Sequence, residues 1–98
     1  MQFRFGNEDL ERMYSEPDYS GGFGRPEVRA FRKVMQIIRD AVDERDFYAL
    51  HSLRFEKLKG DRQHQRSMRL NSQWRLIVEI ESGSPKNTVV VVGIEDYH

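Results

Sequence analysis

The chain contains no cysteine, which removes disulfide scaffolds, thiolate nucleophiles and cysteine-based zinc sites together. No uninterrupted apolar run exceeds four residues, as at 47–50 and 89–92, far short of the roughly 18 that a membrane helix needs. The opening residues, MQFRFGNEDL, hold no apolar stretch of a secretion signal. No membrane role is expected, and a cytoplasmic location is. Histidine is scarce: His51, His64 and His98 show no ligand spacing, so neither metal nor cofactor is expected. Net charge is lacking too, with 16 Lys and Arg against 16 Asp and Glu among 98 residues. What the chain does have is 38% hydrophobic content, enough for one modest core beneath a charged surface. Residues 1–98 are read as a single domain.

The zero net charge hides an asymmetry. Between Arg54 and Arg75 lie seven bases and only two acids, Glu56 and Asp61, a local net charge of +5 that the rest of the chain balances. A basic block in an otherwise acidic chain suggests a local anionic partner; the alternative is a solvated charged face.

Periodicity orders the elements. Residues 1–5 alternate as in a brief strand. Asn7 can cap a short helix with Glu8 and Asp9 in its first turn and Leu10, Met13 and Tyr14 as its apolar stripe. Residues 15–25 hold Pro17 and three glycines and read as a connection. Gly21-Gly22-Phe23-Gly24 lacks the Lys-Ser/Thr ending and preceding strand of a phosphate-binding loop. From Pro26 to about residue 45, Val28, Phe31, Val34, Met35, Ile38, Ala41 and Val42 recur at steps of three and four, which predicts the main helix. Residues 46–53 can add a helical turn. The period then changes to two, with strands expected over 54–59, 65–70, 74–81 and 87–95. The continuous apolar run 89–92 marks a strand covered on both faces. The fold class is therefore α+β, with two N-terminal helices packed on one face of a twisted, mainly antiparallel sheet and the active surface on the opposite face.

Register follows from the apolar positions. If Met68 and Leu70 share the core face with Trp74, Leu76, Val78 and Ile80, then Leu70 opposes Trp74, Met68 opposes Leu76, and residues 71–73 form the loop. That pairing sets Arg69 opposite Arg75. Like charges directly across a ladder are destabilising, so the pair makes sense if that face receives a phosphate; the alternative is two guanidiniums splayed into water. Trp74 itself reads as core.

Three segments carry a resemblance. Leu58-Lys59-Gly60-Asp61-Arg62, then residues 67–76 (SMRLNSQWRL), and finally Glu95-Asp96-Tyr97-His98, in that order and spacing, resemble the HigB branch of the RelE/ParE toxin superfamily over about the last 45 residues. The resemblance implies a small α+β toxin of a type II toxin-antitoxin system, acting as a ribosome-dependent messenger-RNA endonuclease. It also implies restraint by a HigA-like antitoxin carrying a helix-turn-helix domain, with operator DNA contacted only through that antitoxin. Members resembling ParE instead poison DNA gyrase, and a decayed toxin could retain only antitoxin binding; fold alone does not separate these activities.

The family's terminal Asp-Tyr-His matches Asp96, Tyr97 and His98, its Trp-Arg matches Trp74 and Arg75, and its Leu-Lys-Gly lysine matches Lys59. Some relatives place a catalytic histidine two residues before that leucine, where this chain has Glu56. Metal-free RNA cleavage needs a base for the 2′-hydroxyl proton, an acid for the leaving 5′-oxygen and fixed cations for the phosphate. His98 suits either proton role, and Glu56 can replace the missing histidine as base. Arg75, with Arg69 and Lys59, would steady the phosphate. Tyr97 would stack on a base or orient the scissile group, and Asp96 would position the others. Lys57, Arg62 and Arg66 would hold ribosomal or messenger phosphates together with Lys59 and Arg69.

Overall fold

The alternating N-terminal residues do form a strand, β1 (Gln2–Phe5), but it pairs in parallel with the last strand of the chain, Gln2 beside Thr88 and Phe5 beside Val91. Two helices follow, α1 (Glu8–Ser15) and α2 (Arg25–Asp40). A third helix, α3 (Arg45–Ala49), and a 3₁₀ turn at His51–Leu53 lead into the strands β2 (Glu56–Lys57), β3 (Gln65–Arg69), β4 (Trp74–Glu81) and β5 (Thr88–Asp96). The sheet order is β1-β5-β4-β3-β2, antiparallel except at β1–β5. This computed structural model describes residues 1–97. Among them, no helix is long and apolar enough to cross a membrane.

Local chemistry accounts for the helices. The Asn7 side chain accepts the backbone N–H groups of Asp9 and Leu10 at the start of α1, satisfying donors that the first turn leaves open. Along α2 the stripe Val28, Phe31, Val34, Met35 and Ile38 is buried. It packs with Leu10 and Met13 of α1 onto Met68, Leu76, Val78, Val89 and Val91, which share one face of the sheet. That common face is the core.

Two expectations need correction. The main helix does not run to residue 45: Ala41 is already extended, and Val42 is 59% exposed rather than part of the apolar stripe. The reason lies in the acids that follow. The Asp46 carboxylate accepts the Val42 N–H and the Asp43 carboxylate accepts the Arg45 N–H, offering the backbone partners other than the next helical turn. The helical turn expected over 46–53 takes the form of a third helix, α3, and the 3₁₀ turn that follows it. The strand expected over 54–59 also shrinks to Glu56–Lys57, because Arg54 takes a left-handed conformation (φ 47°) that no strand accommodates.

Substitutions on either side of this helix end should differ sharply. Phe31→Ala, at a fully buried position, should lower unfolding free energy by about 3–5 kcal/mol, whereas Val42→Ala should change it by no more than about 0.5 kcal/mol. Urea titrations of the two variants check this. Comparable losses would place Val42 in the core and extend the helix.

Candidate active site

The β3–β4 ladder sets Met68 opposite Leu76 and Arg69 opposite Arg75, the register read from the apolar alternation. Leu70 donates its N–H to the Trp74 carbonyl at 2.9 Å. The intervening turn is held by Asn71, whose side-chain oxygen accepts the N–H groups of Gln73 and Trp74 at 2.9 and 2.8 Å. Trp74 is half-buried, with the Phe23 ring edge-on to it at 5.4 Å.

A bulge in β5 decides what joins the arginines. Ile77 pairs with Gly93 but Val78 pairs with Val91, so Val92 is the extra residue. Val89 and Val91 face the helices. Strict alternation would then turn Gly93, Glu95 and Tyr97 inward as well. The bulge inverts this: Ile94 and Asp96 face the helix side opposite Leu76 and Trp74, while Glu95 lies across from Arg75 on the open face and Tyr97 follows it there.

On that face Tyr97 is half-buried, its N–H donating to the Gln73 carbonyl at 2.8 Å and its ring 5.6 Å from the Arg75 guanidinium carbon. Burial pushes the Tyr97 phenol above its ordinary value of 10; the charges around it are Arg69, Glu56, Arg54 and Arg75, the arginines pulling downward and Glu56 upward. Near neutral pH the phenol is therefore an uncharged hydrogen-bond donor among three cations and one carboxylate. The Arg75 side chain is 20% exposed; among the described residues the one acid within 4 Å of it is Glu95, at 3.7 Å, and its buried Nε has no hydrogen-bond partner among them. Such a guanidinium retains most of its capacity to bind an incoming anion.

The basic block is not one surface. Arg62 donates to both Glu95 carboxylate oxygens at 3.0 and 2.6 Å, and these bonds, with help from the Arg75 charge, hold the Glu95 carboxyl below its ordinary range. Lys57 and Arg66 pair with each other across β2–β3 on the face opposite Arg69, where Arg66 donates to the carbonyls of Gln63 and Gln65. Lys59 is exposed ahead of a 3₁₀ turn at Gly60–Arg62. Thus Arg69, Arg75, Glu56 and Tyr97 come together, Asp96 lies on the other face beside Trp74, and His98 lies outside the described residues.

Two residues escaped the sequence reading of the site. Arg54 belongs to the Tyr97 cluster through its left-handed backbone, a conformation with no signature in an Arg-Phe dipeptide. His51 lines a cleft of about 220 Å³ together with Arg54 and Glu56, although nothing in its spacing marked it. No group of three metal-ligating side chains occurs among the described residues.

The family model for the HigB-like toxin, a RelE-like toxin of type II toxin-antitoxin systems, matches residues 3–98. The chain belongs to this family. Family membership implies an antitoxin partner. No curated protein sequence matches the HigB-like chain. Among solved structures it is similar to a YoeB/ParE toxin from Agrobacterium tumefaciens, with a TM-score of 0.60, 16% identity and coverage of 100% of both chains. That likeness concerns the fold, and the α+β class holds.

The raised Tyr97 pKa sets the sign of an alkaline effect. A group titrating higher in the folded state stabilises fully below its unfolded value and loses that contribution as pH rises through the folded value. Between pH 9 and 11, the urea midpoint of the wild type should therefore fall further than that of Tyr97→Phe. Equal falls would mean that burial does not perturb this phenol.

Proposed function

We propose that this HigB-like toxin cleaves messenger RNA on the translating ribosome, through the cluster of Arg54, Arg69 and Arg75 around Tyr97. The observation that supports this most is the concentration of three guanidiniums about one uncharged phenol on the open sheet face. Its complement is an anion bearing a hydrogen-bond acceptor, and a scissile phosphate is both. Charge builds on the non-bridging oxygens as the 2′-hydroxyl attacks, and prepositioned cations favour that state over the ground state. Attack breaks the bond to the 5′-oxygen and leaves a 2′,3′-cyclic phosphate and a 5′-hydroxyl.

Glu56, exposed at the start of β2 beside this cluster, takes the 2′-hydroxyl proton, and His98 supplies one to the leaving oxygen. Tyr97 donates to the phosphate or stacks on a neighbouring base. Asp96 supports the strand end from the helix side, opposite Trp74. Lys57, Lys59 and Arg66 contact ribosomal phosphates, whereas Arg62 acts mainly through Glu95. A cluster dominated by guanidiniums repels a divalent cation, so the reaction proceeds without one. So few proton-transfer groups orient free RNA poorly, and the decoding site supplies the missing alignment. The antitoxin is of the HigA type, and the toxin acts in the cytoplasm.

The purified chain should cut messenger RNA on translating ribosomes, leave naked messenger RNA largely intact, and keep cutting when EDTA is added at magnesium levels that preserve the ribosome. Arg75→Ala should still associate with ribosomes while cleavage falls by about 10²–10³-fold. Deleting Tyr97 and His98 should abolish cleavage. Efficient, EDTA-sensitive cutting of naked RNA would indicate another class of nuclease, and gyrase-dependent DNA breaks without RNA cuts would indicate a gyrase poison.

A further inference from the structure

The connection between α1 and α2, together with the first turns of α2, borders a cleft of about 550 Å³, within the roughly 300–1,000 Å³ typical of small-molecule sites. Two aromatic rings line it, Tyr19 and Phe23. The Tyr19 ring is held in place: the Arg12 guanidinium carbon lies 3.9 Å from its centroid, and its hydroxyl donates to the Asp9 carboxylate at 2.6 Å. The Phe23 ring rests edge-on against Trp74 at 5.4 Å. Both side chains are half-buried, so two fixed rings each present part of their surface to the cleft.

The charge of the cleft is positive on balance. Arg25, Arg29 and Arg32 line it against one acid, the exposed Asp18, among the described residues. Arg32 is committed to the fold, its Nε donating to the Met13 carbonyl at 3.0 Å and its Nη2 to the carbonyls of Glu16 and Pro17 at 2.9 and 3.1 Å. Arg25 and Arg29 are exposed and form no ion pair among the described residues. Open cations beside two fixed rings match the phosphate and the base of a nucleotide. A protein segment fits less well, because the aliphatic lining is limited to Pro17 and the buried Val28, which leaves little to receive an apolar anchor. An RNA duplex also fits poorly, since its bases are stacked on one another and cannot meet a ring.

We propose that this cleft is a second RNA contact, which takes an unpaired base of the messenger strand against Tyr19 and Phe23 and its flanking phosphates on Arg25 and Arg29. The cleft is separate from the Tyr97 cluster. Phe23 packs on Trp74, which faces the helix side, whereas Tyr97 lies on the open face; the two meet only through the strand ends, where the Tyr97 N–H donates to the Gln73 carbonyl just before Trp74. Binding energy gained at such a remote contact lowers the substrate concentration that cleavage needs. The capture of single-stranded RNA stands on the cleft alone; the messenger as its source, and the effect on cleavage, rest on the reading of the Tyr97 cluster as the cleavage site.

The test follows the full chain, isotopically labelled, by NMR as four probes are added: a single-stranded adenosine trinucleotide, the same trinucleotide with abasic riboses, a short RNA duplex and hexaglutamate. The trinucleotide should shift Tyr19, Phe23 and Val28, and the abasic probe should bind there about tenfold or more weakly, which measures stacking without any substitution. Arg25→Glu with Arg29→Glu, both at exposed positions, should weaken the trinucleotide by about tenfold or more. In Arg75→Ala the shifts at Tyr19 and Phe23 should persist. Equal binding of the abasic probe or the duplex, shifts of these residues by hexaglutamate, shifts confined to the Tyr97 face, or none from any probe would overturn the cleft as a site for single-stranded RNA. On translating ribosomes, the Arg25 and Arg29 double variant should need about tenfold more ribosomes for half-maximal cleavage, while its association with messenger-free ribosomes matches the wild type. An equal loss on messenger-free ribosomes would overturn the messenger as the source, and an unaltered half-maximal concentration would overturn the effect on cleavage. A chain that never cleaves would overturn the nuclease reading and leave the NMR arms to decide the cleft.

Discussion

The candidate site depends on how three strands are pinned at one end of the sheet. Burial of Met68, Leu76, Val78 and Val91 on the helix face fixes the β3–β4 register, because a slip of one residue would turn this whole apolar set outward. The same register forces Arg69 against Arg75. The extra residue Val92 then lets β5 satisfy the core with Val89 and Val91 and still present Glu95 and Tyr97 to the arginines. Hydrophobic burial on one face thus assembles a cationic cluster on the other. Opposed like charges oppose folding by a few tenths of a kcal/mol to about 1 kcal/mol, which the buried apolar set outweighs.

Glu95 shows how the cluster keeps its cations available. Among the described residues it is the acid nearest Arg75, yet Arg62 takes both of its carboxylate oxygens at 3.0 and 2.6 Å while Arg75 stands at 3.7 Å. Because the pair is substantially exposed, its net contribution to stability is small; its larger effect is to determine which arginine remains open.

Much of this was legible in the sequence, for a physical reason. Period-two alternation over 65–81 could satisfy the core in only one register, so the Arg69–Arg75 pair followed, as did the three-residue loop held by Asn71. Elsewhere the signal was absent. The end of α2 depends on Asp43 and Asp46 competing for backbone N–H groups, which helical periodicity does not register, so Val42 looked like core. The bulge depends on pairing between distant strands, and a run of four valines permits either face; Asp96 and Tyr97 therefore could not be assigned to opposite sides. Arg54 joins the site through a left-handed backbone that its own residue type disfavours. The summed +5 charge concealed the division of the basic residues between two faces.

The central claim is that Arg75 is held by the fold for an anion rather than for stability. The most direct measurement is the urea unfolding midpoint of Arg75→Met, which keeps an unbranched apolar stem while removing the charge and a buried Nε that has no hydrogen-bond partner among the described residues. The account predicts a midpoint equal to or above that of the wild type, since a like-charge repulsion and an unsatisfied polar atom are both relieved. A loss of about 2 kcal/mol or more would show that Arg75 is a structural ion-pair partner and contradict the account.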